Sequence, residues 1–140
     1  MKTFKEKISK QLNASPEKVW EVISSVDGVD KWFSSMITSC EVKDGKRYCC
    51  TADGVPLIED IIEVNHKTKT FQFGIPSQDM LPATDIIETM TVLDDGKGKT
   101  VVEWSGEFKA TPENSSIVQE AFRNLWNMGL EEMEKFINKN

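Results

Sequence analysis

The sequence predicts a single α+β domain: an antiparallel sheet of about seven strands, two short helices after the first strand, and one long C-terminal helix. Three observations carry this. Between residues 36 and 110 most segments are runs of β-branched and aromatic residues, each parted from the next by hairpin-length turn chemistry. Beyond Thr111, apolar side chains recur at three- and four-residue steps over about 20 residues, the spacing of one helical face. A chain of 140 residues is also the size of one domain, about 100 to 150 residues, so residues 1–140 are read as one unit.

The elements follow in order. Phe4, Ile8 and Leu12, set among Lys, Glu and Ser, read as a half-solvated first strand over residues 3–12. Ser15, Pro16 and Glu17 supply an N-cap, a proline for the first helical position and a first-turn acid; Val19, Trp20, Ile23 and Val26 then continue at helical spacing. Asp27 and Gly28 break that helix, and Val29 to Phe33 has room for one more helical turn. Strands are expected at 36–43, 47–52, 57–64, 70–74, 86–93 and 100–110. Asp44 with Gly45, Asp53 with Gly54, the 65–69 segment and the 94–99 segment connect them as hairpins, which predicts a meander. In the closing helix, Ser116 and Gln119 have the spacing of a capping box after the polar cluster Asn114, Ser115 and Ser116.

Composition narrows the function. With 39% apolar residues a chain of this length buries enough surface to need neither disulfides nor a structural metal. A net charge of -6 opposes phosphate backbones and anionic lipid surfaces, so no nucleic-acid partner is expected. No apolar run reaches the length of about 18 residues that suggests a membrane span, and Met1 to Gln11 lacks a signal peptide's apolar segment, which predicts a cytoplasmic protein without membrane insertion. Cys40, Cys49 and Cys50 are an odd set read as free thiols. With the single His66 in a polar turn, no metal-ligand spacing and no Ser, His and Asp constellation emerges, so neither metal nor cofactor is expected. The Gly96, Lys97 and Gly98 loop lacks the flanks of a phosphate-binding loop.

Candidate binding residues come from strand alternation and helix periodicity. On the last strand Val102, Trp104, Gly106 and Phe108 share one face, so Trp104 should point inward; Phe71 and Phe73 share a face in the same way. The helix stripe runs Val118, Ala121, Phe122, Leu125, Gly129, Met133 and Phe136, with Phe122 and Leu125 the candidate ligand contacts. Gly129 stands out, since glycine inside a helix costs about 1 kcal/mol against alanine and points to room kept for a ligand or a close strand. Two acids sit in apolar strands. Glu59 lies among Leu57, Ile58, Ile61 and Ile62, and Glu88 shares a face with Ile86, Met90 and Val92. Buried, each would need a partner or a proton; on an outer face each would simply be solvated. Alternation alone does not separate a filled core from a lined cavity.

The opening-helix string Asn13, Ala14, Ser15, Pro16, Glu17, Lys18, Val19 and Trp20, the strand string Thr100, Val102, Glu103, Trp104 and Phe108, and Gly129, Leu130 and Glu131 near the end resemble the START, polyketide-cyclase and birch-pollen-allergen-like (SRPBCC) superfamily. The resemblance implies a helix-grip fold, a curved sheet wrapped around the C-terminal helix. Within the superfamily the chain looks like bacterial relatives of the plant abscisic-acid receptors, because Asp53, Gly54, Val55, Pro56 and Leu57 are similar to their gate-loop string. This implies a closing loop at Gly54, Val55 and Pro56, and Glu59 matches a pocket glutamate of those receptors. The hormone-anchoring lysine is missing around Phe33 to Met36 and the latch string is missing from Gln78 to Leu81, so hormone reception is not carried over.

The function expected is binding or transport of a small hydrophobic molecule, of lipid, polyketide or isoprenoid type, between sheet and helix. Glu59, Phe71, Phe73, Glu88, Met90 and Trp104 from the sheet, with Phe122, Leu125 and Gly129 from the helix, are the expected contacts. The alternative is a cyclase or dehydratase using a buried Glu59 for proton transfer, and a third is an interaction module acting through its surface, as the superfamily's chaperone activators do.

Overall fold

Alternation along the first segment is enough to make a strand, and in the computed structural model, which describes residues 1–139, β1 spans Lys2–Leu12. Helix α1 (Pro16–Ser24) starts where its cap chemistry places it: the Ser15 side chain accepts the Lys18 N–H, and Pro16 occupies the first turn. Helix α2 is the single turn Val29–Trp32. Six strands follow: β2 (Ile37–Lys43), β3 (Lys46–Thr51), β4 (Pro56–Asn65), β5 (Thr70–Ile75), β6 (Thr84–Asp94) and β7 (Thr100–Ala110). Helix α3 (Pro112–Asn138) closes the fold with 27 residues.

The seven strands form one antiparallel sheet in the order β1-β7-β6-β5-β4-β3-β2. From β2 to β7 this is the expected meander. The first strand departs from it by pairing with the last, from Lys2 opposite Ala110 to Leu12 opposite Thr100. Register shifts between Ile37 and Ser39, Ile61 and Glu63, and Thr84 and Ile87 mark irregularities of the kind that bend strands and let a sheet curve. The result is the helix-grip arrangement, with α3 against β1 and β7 and its apolar face toward the sheet.

The start of α3 corrects one sequence expectation. The helix begins at Pro112 with Thr111 as N-cap, so Ser116 and Gln119 lie inside it and form no capping box; the Ser115 hydroxyl donates to the Pro112 carbonyl. Proline suits a first helical turn because the N–H it lacks has no helical partner there. Strand β7 runs to Ala110, one residue before that cap, which leaves no loop for the polar cluster to occupy.

The core's center is aromatic. Phe122 and Trp126 stack at 4.9 Å between ring centroids, Trp126 and Trp104 at 5.8 Å, and Phe108 meets Phe122 edge-on at 5.6 Å. Gly106 makes this possible: a Cβ there would lie 3.0 Å from two ring carbons of Trp126. Gly129 plays the same part for α2, since its missing Cβ would lie 3.0 Å from the Phe33 ring. The neighbor that requires this glycine is thus an aromatic ring from the α2 end, neither a ligand nor a strand.

Candidate functional site

Between the inner face of the sheet, α2 and α3 lies a cavity of about 80 Å³. The inward positions of β3 to β7 bring to it both large rings and the charged groups Arg47, Glu59 and Glu88. Phe71 and Phe73 supply its β5 wall, Glu88 and Met90 its β6 wall, Trp104 its β7 wall, and Phe122 and Leu125 close it from α3. Glu59 reaches it from β4. The sequence-derived contacts therefore converge on one space, with two exceptions. Gly129 is absent from the lining, for the reason given above. Gly54, Val55 and Pro56 are also absent: Gly54 and Val55 form the β3–β4 turn, and Pro56 opens β4 opposite Cys50.

The β5–β6 connection also contributes to the lining, through Gln78, Met80 and Leu81 together with Met36, and Met80 is 38% exposed. Gln78 braces this loop with its whole amide. Its Nε2 donates to the carbonyls of Leu81 and Ala83, both at 2.8 Å, and its Oε1 accepts the N–H groups of Met80 and Leu81 at 2.8 and 2.9 Å. All four sites of the amide are thereby used within the loop.

Three charged side chains face this apolar space. Arg47 of β3, 6% exposed, pairs with Glu59 directly opposite it on β4, Nε to Oε1 at 2.5 Å. Its Nη1 donates to the Val26 carbonyl at 2.9 Å, and its guanidinium lies 5.0 Å from the Phe73 ring centroid and 5.3 Å from that of Phe71. The ion pair, a backbone acceptor and two ring faces together offset the desolvation of a buried guanidinium. Glu88 has no such cation. Its Oε1 accepts the indole N–H groups of Trp104 at 2.8 Å and Trp126 at 3.0 Å. Burial first, and the nearby negative charge of Glu59 second, push its carboxyl up to about 7, against the opposing pull of the two indoles and Arg47.

Arg47 and Trp126 belong to the site although neither stands out in the sequence, and both carry a signal that could have found them. Trp126 stands four residues after Phe122 and three before Gly129, squarely on the helix stripe. Arg47 alternates with buried Cys49 and Thr51, but its neighbors Lys43, Asp44, Gly45 and Lys46 give it the look of a solvated turn.

The remaining chemistry-bearing residues lie elsewhere or are muted. His66 Nδ1 accepts the Trp20 Nε1–H at 3.1 Å and does not line the cavity. Cys40 and Cys49 oppose each other across β2 and β3 as free thiols, and burial pushes both up from the ordinary thiol range. Among the described residues, no three or more His, Cys, Asp or Glu side chains are grouped as a metal site, and no helix is long and apolar enough to cross a membrane.

The geometry agrees with what the chain is similar to. Solved structures sharing its fold include an uncharacterized protein from Bacillus thuringiensis, 22% identical over 96% of this chain and 98% of that one, with a TM-score of 0.83. Norcoclaurine synthase from Thalictrum flavum, in complex with dopamine and hydroxybenzaldehyde, is 17% identical over 99% of this chain and 88% of its own, with a TM-score of 0.80. Major latex-like protein 151 from Panax ginseng is 14% identical over 94% and 95%, also at 0.80. No curated protein matches the chain. The model of one family, polyketide cyclase / dehydrase and lipid transport, matches residues 3–135. A seven-stranded grip, a long closing helix and a match over nearly the whole length make this chain a member of that polyketide cyclase / dehydrase and lipid transport family.

Proposed function

We propose that this protein binds a small, largely apolar molecule in the cavity between sheet and α3, and holds or carries it rather than transforming it. The observation that carries the reading is an unfilled space walled by Phe71, Phe73, Met90, Trp104 and Phe122, in which the polar groups are few and already organised. Such a wall rewards removal of apolar surface from water, while a few fixed polar atoms orient what enters. The size is a constraint. A dry cavity of about 150 Å³ holds one benzene, so about 80 Å³ admits the end of a chain but no ring of that size. A larger lipid, polyketide or isoprenoid needs Met36, Met80 and Leu81 to swing aside, which the flexibility of methionine permits. Membership of a family whose description includes lipid transport supports the reading.

The test is binding of N-phenyl-1-naphthylamine, a neutral apolar fluorophore. Its emission should rise on mixing with the protein, and addition of a short-chain alcohol should displace it. Native mass spectrometry of freshly purified protein should find an apolar passenger or accept one. No emission change, no passenger and no thermal stabilisation by any apolar probe would defeat the reading.

One observation favors a second reading, in which the cavity hosts a reaction. Glu88, held near neutrality at about 7, is suited to give or take a proton at working pH. Glu59, tied to Arg47, is the less free of the two acids. A turnover assay with candidate carbonyl substrates, lost in Glu88→Gln and retained in Glu59→Gln, would favor catalysis over carriage.

A further inference from the structure

The charge facing the cavity is lopsided. Two carboxyl groups, Glu59 and Glu88, share the space with one cation, Arg47, already paired with Glu59 and bonded to the Val26 carbonyl. Glu88, which lines the same space, keeps one acceptor without a partner. Both indole N–H groups fall on its Oε1, and Oε2 has no partner among the described residues. Nor is Oε2 sealed in protein, since the only completely buried side-chain oxygen or nitrogen without a partner among those residues is Thr111 Oγ1. An acceptor left open in an apolar cavity is a position for a donor, because an unmade hydrogen bond to a carboxylate there is expensive.

Resting on the binding reading above, we propose that the molecule this cavity selects carries a protonated amine that donates to Glu88 Oε2, and that the cavity refuses carboxylates of the same shape. An ammonium supplies the missing cation and donor at once. Apolar contact with Phe73, Met90 and Phe122 would hold the remainder of such a molecule. A carboxylate would instead face the negative charge of Glu59 and Glu88, and the one cation there, Arg47, already has its Nε on Glu59 and an Nη1 bond on the Val26 carbonyl, leaving it only its remaining N–H groups to offer. A neutral alcohol stands between, able to donate one bond but adding no charge. The groups facing Glu88 are Glu59 from β4 and Arg47 from β3. Strand β7 and α3 present the indoles of Trp104 and Trp126, and β5 presents the Phe73 ring, none of which titrates.

Octylamine, 1-octanol and octanoate test this, since they share one chain and differ in the head. Calorimetric or thermal-shift titration at about pH 8 should rank the amine at least about tenfold above the carboxylate, with the alcohol between. At about pH 6, where Glu88 is protonated more often, the margin should shrink, because the alkylamine keeps its charge while the acceptor loses its own. Glu88→Gln should lower amine affinity about tenfold and leave octanol within about twofold. Glu88→Asp should retain part of the preference, and if neither variant folds, the wild-type ranking at the two pH values decides the matter. Octanoate binding as tightly as octylamine, or an amine preference indifferent to pH, overturns the proposal while leaving the binding reading in place. Failure of all three to bind instead removes the reading beneath it.

Discussion

Replacing Glu88 by glutamine isolates the cost of keeping an acid in this core. In the folded chain the carboxyl sits at about 7, whereas its ordinary value is 4.5. The native state therefore holds a proton that the unfolded chain has released between those two values. The resulting stabilisation is complete below about pH 4.5 and is lost as pH rises through about 7. The difference corresponds to about 3 kcal/mol, or about 10 °C in Tm for a domain of this length. In the Glu88→Gln variant the side-chain carbonyl can accept the same two indole N–H groups, and the amide cannot ionise. The variant's urea midpoint, relative to wild type, should therefore climb steadily from about pH 5 to about pH 8. Subtracting the two profiles cancels what the two proteins have in common, including their other carboxylates. Parallel profiles across this range would mean that Glu88 is well solvated, and the account of a buried, cation-free acid would be wrong.

Other perturbations test the rest of the site. Arg47→Met strips Glu59 of its partner at 5% exposure, and urea unfolding should show a loss of about 3 to 5 kcal/mol; adding Glu59→Gln to it should recover much of that, and no recovery would mean the loss is packing alone. Gly129→Ala gains about 1 kcal/mol of helix propensity but drives a methyl into the buried Phe33 ring, which is stacked on Trp32 at 5.4 Å. The net change should be a loss of about 1 kcal/mol, and a stabilised variant would show that this ring can yield. Gln78→Ala removes the amide that braces the loop beside the cavity, so amide exchange at Met80 and Leu81 should accelerate about tenfold or more while the β6–β7 ladder stays protected. Unchanged exchange would mean that the loop is held by other contacts.

Much of this architecture can be read from residue order because its strands obey a period of two against a single buried face. Trp104 and Phe108 fall on the buried side for that reason alone, and the hairpin turns set most of the register, whereas the period by itself leaves open which face Glu88 takes. What alternation does not carry is identity across strands. That Glu59 meets Arg47 depends on the turn between β3 and β4, and that Gly129 meets Phe33 depends on where a single helical turn lands after α1. The loop expected at Gly54, Val55 and Pro56 rests on the likeness of one short string, which does not fix where in the sheet that turn sits. Pro56 is the first residue of β4, an interior strand, and a strand's first position is one that proline tolerates. The capping motif fails through competition: a proline two residues after a long strand claims the helix start before the serines can.

The pairing of the first strand with the last has a consequence for how the polypeptide reaches this state. Partners such as Ile8 and Trp104 stand roughly 100 positions apart, while each remaining ladder joins neighbors along the chain. The hairpins from β2 to β7 can zip in succession, yet Lys2–Leu12 must wait for Thr100–Ala110 before either finds its mate. Assembly should thus end in a slow, long-range closure. On the ribosome, the earliest synthesized strand is among the last to be secured.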